Sequence, residues 1–260
     1  MILSELFLQS AFLLLIILFF VSFVYDSRRI IISLLILISI LGVLSITLRG
    51  FENSRFPVVN LYESLIFISV LGVFFLLYVF IKLKNIIWIV RLGLPVLFLI
   101  LGVATILPPW DKTPHYLIPA LQSYWLYIHV TASFVSYSGF TVAFILGILF
   151  LFYNKKNRVK AGNIEIMVYK IIAFSFPVLT FGIFTGAIWA NYAWGSYWSW
   201  DPKETWSLVT WIIYAGYLHT RIIRGWRGRV GIYWVIAGFI VMVFTFIGVN
   251  YLLPGLHSYL

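Results

Sequence analysis

The sequence predicts an all-α, polytopic integral membrane protein of about eight transmembrane helices, with both termini on the outer (periplasmic) side. Three observations predict it. Of the 260 residues, 63% are hydrophobic and only 10% are charged, whereas soluble domains are about a quarter charged and about half apolar at most. Apolar runs of the roughly 20 residues needed to cross a bilayer core recur along the whole chain. Lysine and arginine gather in alternate connections, as the positive-inside rule requires. No polar stretch is long enough for a soluble domain, so residues 1–260 read as a single membrane domain.

The spans fall near 6–24, 30–48, 60–81, 86–107, 121–153, 169–190, 205–223 and 230–252. The first lacks a basic n-region and a small-residue cleavage site, so it reads as a helix and not a removed signal peptide. Arg28 and Arg29 separate it from the second span, and Arg49 and Arg55 separate the second from the third. The third opens at "NLYES", where Glu63 reads as a helix-start residue. Lys82, Lys84 and Arg91 mark the next connection, and Pro95 and Pro177 place kinks in the fourth and sixth spans. The fifth reaches roughly 50 Å at 1.5 Å per residue, so part of it projects from the membrane. Gly182 and Gly186 form a GxxxG in the sixth, a signal for close helix packing.

Of the 18 basic residues, all but Arg49, Arg55, Lys112 and Lys203 fall on one side, which is thereby cytoplasmic. The net charge of +10 is therefore loop charge, with no nucleic-acid partner implied. The chain has no cysteine, which excludes disulfides, thiolate metal sites and cysteine nucleophiles.

The four histidines differ in depth. Counting back about 20 residues from Asn154 puts the outer boundary of the fifth span near Phe134, so His129 lies at or just above the outer surface. His257, after the last span, is also outside. His219 is 18 residues beyond Asp201, roughly 27 Å along a helix, in the inner half of the membrane. An ionisable residue there is a functional candidate by default, although Arg221 beside it equally makes His219 the mark of a helix end. His115, among prolines on an outer loop, reads as solvated.

Between the sixth and seventh spans runs "WGSYWSWDPKETW". Tryptophan and tyrosine favour membrane interfaces, which explains one or two rings per helix end. It does not account for Trp189, Tyr192, Trp194, Tyr197, Trp198, Trp200 and Trp206 in one connection. Trp194 and Trp198, four apart, share a face if the segment is helical. Such a surface suits a large flat apolar ligand with polar edges, and haem is the obvious candidate. His129 and His257, arriving from different helices, are candidates to ligate iron from opposite faces. Asp201, Pro202, Lys203 and Glu204 read as N-cap, N1, N2 and N3 of the seventh helix, forming a capping box. A ligand or proton role for Asp201 or Glu204 is the lesser reading. Arg49, Arg55 and Lys203 are the outer cations available to haem propionates.

The stretch "WGSYWSWDPKETWSLVTWIIYAGYLHTR", with "NLYES", "PALQSYWLYIHV" and "GLHSY", resembles the tryptophan-rich (WWD) signature of the CcsA/ResC family of system II cytochrome c assembly proteins. The resemblance runs from about residue 60 to the C-terminus, with a haem-handling core at about 121–260; residues 1–59 match only in being apolar. It implies a subunit of a cytochrome c synthase that carries haem b across the membrane as substrate. It implies presentation of that haem at the outer face, for thioether attachment to the CxxCH motif of apocytochrome c. The implied haem ligands are His129 and His257 outside, and His219 at an inner site shared with a CcsB/ResB-type partner. Trp194, Trp198, Trp200, Asp201 and Glu204 match the signature and are implied haem-binding residues. A thioredoxin-like thiol reductant is a further implied partner. The implied location is the bacterial cytoplasmic membrane, or the thylakoid membrane for a plastid protein.

Two other readings stay open. A CcmC- or CcmF-like haem handler shares a tryptophan-rich motif. A transmembrane b-type electron carrier would pair histidines at matched depth, which His129 and His219 do not do. A solute transporter would need half-helix pairs, and none is visible.

Overall fold

The structure is a computed structural model, and it describes residues 3–84, 86–108, 112, 119–253 and 255. Among the described residues eight long helices follow in order: α1 Leu3–Val24, α2 Arg28–Asn53, α3 Leu61–Lys82, α4 Trp88–Ile106, α5 Tyr124–Lys156, α6 Arg158–Trp194, α7 Pro202–Ile223 and α8 Arg229–Leu252. No strand occurs among the described residues. All but α7 are long and apolar enough to cross a membrane. The eighth expected span is thus present as a helix of 22 residues, but Lys203, Glu204, His219, Arg221 and its hydroxyl side chains set it apart. The chain is an all-α, multi-pass membrane protein.

By their contacts the helices group into two units, Met1–Tyr116 and Leu117–Leu260. In the first, α1 pairs with α2, where Ser45 Oγ donates to the Ser4 carbonyl at 2.9 Å, and α3 pairs with α4 through small residues. A Cβ on Gly72 would stand 2.5 Å from Leu97, and one on Gly93 would stand 2.6 Å from Leu76. The unit's charged knot is Glu63, which is 1% exposed. Its carboxylate accepts from Arg49 Nε at 3.1 Å, from Asn53 Nδ2 at 3.3 Å and from the Val59 N–H at 2.9 Å. Arg55 adds two bonds at 2.9 and 3.0 Å. Asn60 caps α3 by accepting from the Glu63 N–H at 2.8 Å. "NLYES" is therefore a helix start, as expected, but Glu63 also fastens the end of α2 to it.

In the second unit α5 and α6 form a long helical hairpin. Asn157 ends α5 and caps α6 by accepting from the Lys160 N–H at 3.0 Å. Helix α6 begins eleven residues before the span expected at 169–190. The reason is an apolar stripe at Ala161, Ile164, Met167, Val168 and Ile171, at helical spacing and buried. Helices α7 and α8 close on α5 through stacked rings, Phe140 on Tyr214 at 3.7 Å and Phe144 on Phe239 at 4.1 Å. Trp211 Nε1 donates to Thr180 Oγ1 at 2.9 Å, tying α7 to α6.

Candidate functional site

One end of the second unit gathers the start of α5, the ends of α6 and α8, and the start of α7. His129 projects there from α5 onto α6. Its Nδ1 lies 2.7 Å from the Gly182 carbonyl oxygen. A carbonyl only accepts, so Nδ1 carries the proton and the lone pair of the neutral ring sits on Nε2. Thr185 Oγ1 donates to the same carbonyl at 3.0 Å. The imidazole fits because α6 is bare at Gly186, where a Cβ would stand 2.6 Å from Nδ1 and 2.7 Å from Cε1. The GxxxG thus does more than pack helices: Gly182 supplies the acceptor and Gly186 the space. Trp189, buried, lies near-parallel to the imidazole at 6.2 Å and 13°, and Trp194 meets Trp189 edge-on at 4.8 Å.

The tryptophan strip is three pieces. Trp189, Tyr192 and Trp194 finish α6, Trp198 and Trp200 sit on the loop, and Trp206 rides α7 against Phe244 at 4.5 Å. The segment is not helical, so the condition for Trp194 and Trp198 to share a helical face is not met. Gly195 takes the left-handed conformation (φ 76°) and ends α6, its N–H donating to the Asn191 carbonyl, and residues 195–201 are not helical. Trp198 and Trp200 meet edge-on at 5.9 Å. Trp200 itself has φ 59° and is 68% exposed. That conformation costs a non-glycine residue about 1–2 kcal/mol, and strain of this kind collects at binding sites. Nothing in the local composition signals it.

The "DPKE" segment is the helix starter expected. Asp201 accepts from the Lys203 N–H at 2.9 Å, and Glu204 returns a bond to the Asp201 N–H at 3.2 Å. Glu204 also accepts from the Ser199 N–H at 2.8 Å, so it holds the loop as well as the cap. Two further ties reach the C-terminal end of α8. Lys203 Nζ donates to Asn250 Oδ1 at 2.8 Å. Gly255 packs on the Asp201 carboxylate and on Pro202, leaving no room for a Cβ. The end of α8 is also loosened into a π-turn, Phe244–Gly248, a feature frequent at functional sites. There Thr245 Oγ1 donates to the Trp206 carbonyl at 3.1 Å.

Burial lowers the Lys203 ammonium to about 8, with Asp201 opposing the shift. A base whose folded value lies below its unfolded one binds fewer protons in the folded state across that interval, so stability rises with pH from about 8 to 10.5. The thermal midpoint of the protein should climb over that window relative to Lys203→Met; parallel curves would show that Lys203 is not buried as its position implies.

His219 sits elsewhere. It is exposed on α7 and makes no hydrogen bond or ion pair to another described residue. Its neighbour Arg221 is taken by a close ion pair with Glu165 of α6. The structure therefore does not bring His219 to His129. His257 and His115 lie outside the described residues. Of the three expected outer cations, Arg49 and Arg55 are bound to Glu63 in the first unit, while Lys203 stands at the base of the tryptophan loop.

The family model of the cytochrome C assembly protein matches residues 58–257. The chain is 41% identical over 250 residues to the cytochrome c biogenesis protein CcsA of Mesostigma viride, covering 83% of this chain and 81% of that one. The CcsA of Chlamydomonas reinhardtii is 42% identical over 231 residues, covering 85% of this chain and 65% of its own length. That of Marchantia polymorpha is 36% identical over 303 residues, covering 93% of each. With most of its length matched at this level, from the third helix to the C-terminal segment, the chain belongs to the CcsA family of system II cytochrome c biogenesis proteins.

Proposed function

We propose that this chain is the haem-handling subunit of a system II cytochrome c synthase, holding haem b as transported substrate between His129 and His257. A CcsB/ResB-type membrane protein is its partner, and the CxxCH motif of apocytochrome c receives the haem. The observation that carries this reading is the setting of His129. A metal-ligating histidine typically donates its other N–H to a backbone carbonyl or carboxylate, which fixes the tautomer. His129 has that arrangement on Gly182. Trp194, half-buried and edge-on to the buried Trp189, offers flat apolar surface of the kind a porphyrin stacks on. The ties from Lys203 and Asp201 to Asn250 and Gly255 support a role for the "DPKE" cap in positioning His257, two residues beyond Gly255.

Orientation follows from the basic residues: the histidine end faces the periplasm or its thylakoid equivalent. His219, exposed on α7, suits an inner site completed by the partner. The chemistry asked of the outer pocket is chiefly orientation of the haem edge toward the incoming thiols.

The test is maturation of a reporter cytochrome c in cells carrying this chain with its partner. Gly186→Leu leaves every proposed ligand in place but pushes a side chain into the His129 ring. It is expected to lower holocytochrome by about tenfold or more, on the scale of losing a metal ligand's supporting contact. Maturation at the wild-type level would remove His129 from the mechanism.

A further inference from the structure

We propose that the opposite end of the second unit binds a tetrahedral oxyanion, the charged group of an anionic lipid head or a free phosphate. A cavity of about 650 Å³ opens there, lined by Asn154 and Lys155 of α5, Arg158, Gly162 and Glu165 of α6, and Arg229 of α8. Its size falls within the ordinary range of small-ligand sites, about 300–1,000 Å³.

The charges around it are unbalanced. Lys155, Arg158 and Arg229 come from three helix ends, and none makes an ion pair or side-chain hydrogen bond to another described residue. Glu165 does not neutralise them. Its Oε1 takes both Arg221 and the Gly228 N–H, the latter at 3.0 Å, so its single charge is paired with a fourth cation and the other three remain unbalanced. Lys155 lies in the last turn of α5, where a cation complements the helix dipole. Arg158 and Arg229 do the reverse. They are the first residues of α6 and α8, where the helix end is itself positive, and neither first turn holds an acid. The N-cap of α8, Gly228, has no side chain to satisfy the first N–H groups. A general excess of lysine and arginine on one side of a membrane explains cations at this end. It does not explain two arginines set on positive helix ends around one hollow. A bound anion does. It would meet the guanidinium forks and the open N–H groups together.

The hollow is open above α6. A Cβ on Gly162 meets nothing within 4 Å, so Gly162→Phe fills the cavity while keeping every charge. The test is native mass spectrometry of the purified full chain offered phosphatidylglycerol, phosphatidylcholine or inorganic phosphate. Arg158→Gln/Arg229→Gln and Gly162→Phe serve as variants. The wild-type chain is expected to retain one phosphatidylglycerol in preference to phosphatidylcholine. Both variants should lose that retention by about tenfold, the scale of losing a charge-assisted contact. Should phosphate instead raise the thermal midpoint in the same variant-dependent way without lipid retention, the site takes the free anion. Two results overturn the proposal: neither anion binding the wild type, or the charge variant losing binding while Gly162→Phe keeps it. The second would reduce the effect to diffuse surface charge.

Discussion

Replacing His129 with glycine is expected to remove haem from the outer pocket and to lower cytochrome c maturation by about a hundredfold. The expected loss is large because two effects coincide. The chain loses Nε2, the nitrogen that carries the ring's lone pair once Nδ1 is bound to Gly182. Losing even a supporting contact of a metal ligand typically costs 10–100-fold, and losing the ligand sits at or beyond the upper end of that range. Glycine leaves an imidazole-sized gap over Gly186 with the Gly182 carbonyl as acceptor at its edge. Added imidazole should therefore restore the haem spectrum in His129→Gly but not in Gly186→Leu, where the gap is filled. Rescue of both, or of neither, would contradict the assignment of Gly186 as the floor beneath the ring.

Glu63→Ala should be the most destabilising single change in the first unit. Its carboxylate accepts five hydrogen bonds, three of them from Arg49 and Arg55, with Glu63 1% and Arg49 4% exposed. Removing it leaves a buried guanidinium uncompensated, which costs about 3–5 kcal/mol. For a chain of this size that is a fall in thermal midpoint on the order of 10 °C. Glu63→Gln retains the shape and part of the hydrogen bonding and should fall by less. Haem binding at the His129 end is expected to survive in whatever fraction remains folded. A midpoint within about 2 °C of wild type would mean that the knot contributes no net stability.

These sites differ in how far the sequence reveals them. The "DPKE" cap is legible because a capping box closes within four residues, whereas the ties of Glu204 to Ser199 and of Lys203 to Asn250 are not. The spans are legible because a bilayer imposes their length. The first turns of α6 are not. "RVKAGNIEIMVYK" looks like a basic loop until its buried residues are spaced along a helix, so its stripe is diluted by Arg158, Lys160 and Lys170. His129 is legible as a candidate, but its acceptor lies 53 residues away and nothing local pairs them. Gly186 reads as helix packing because the ring it admits belongs to another helix. Trp200 is the least legible: its left-handed backbone follows from how the loop spans α6 and α7, not from its residue type.

The central claim is that His129 is a haem ligand in a bis-imidazole pocket. The most direct measurement is the visible and electron paramagnetic resonance spectrum of the chain purified with its partner, compared between wild type and His129→Gly. A low-spin bis-imidazole signal in the wild type, lost or turned high-spin at the outer site in the variant and recovered with free imidazole, is the predicted result. A wild-type complex without haem, or a spectrum that His129→Gly leaves unchanged, contradicts it.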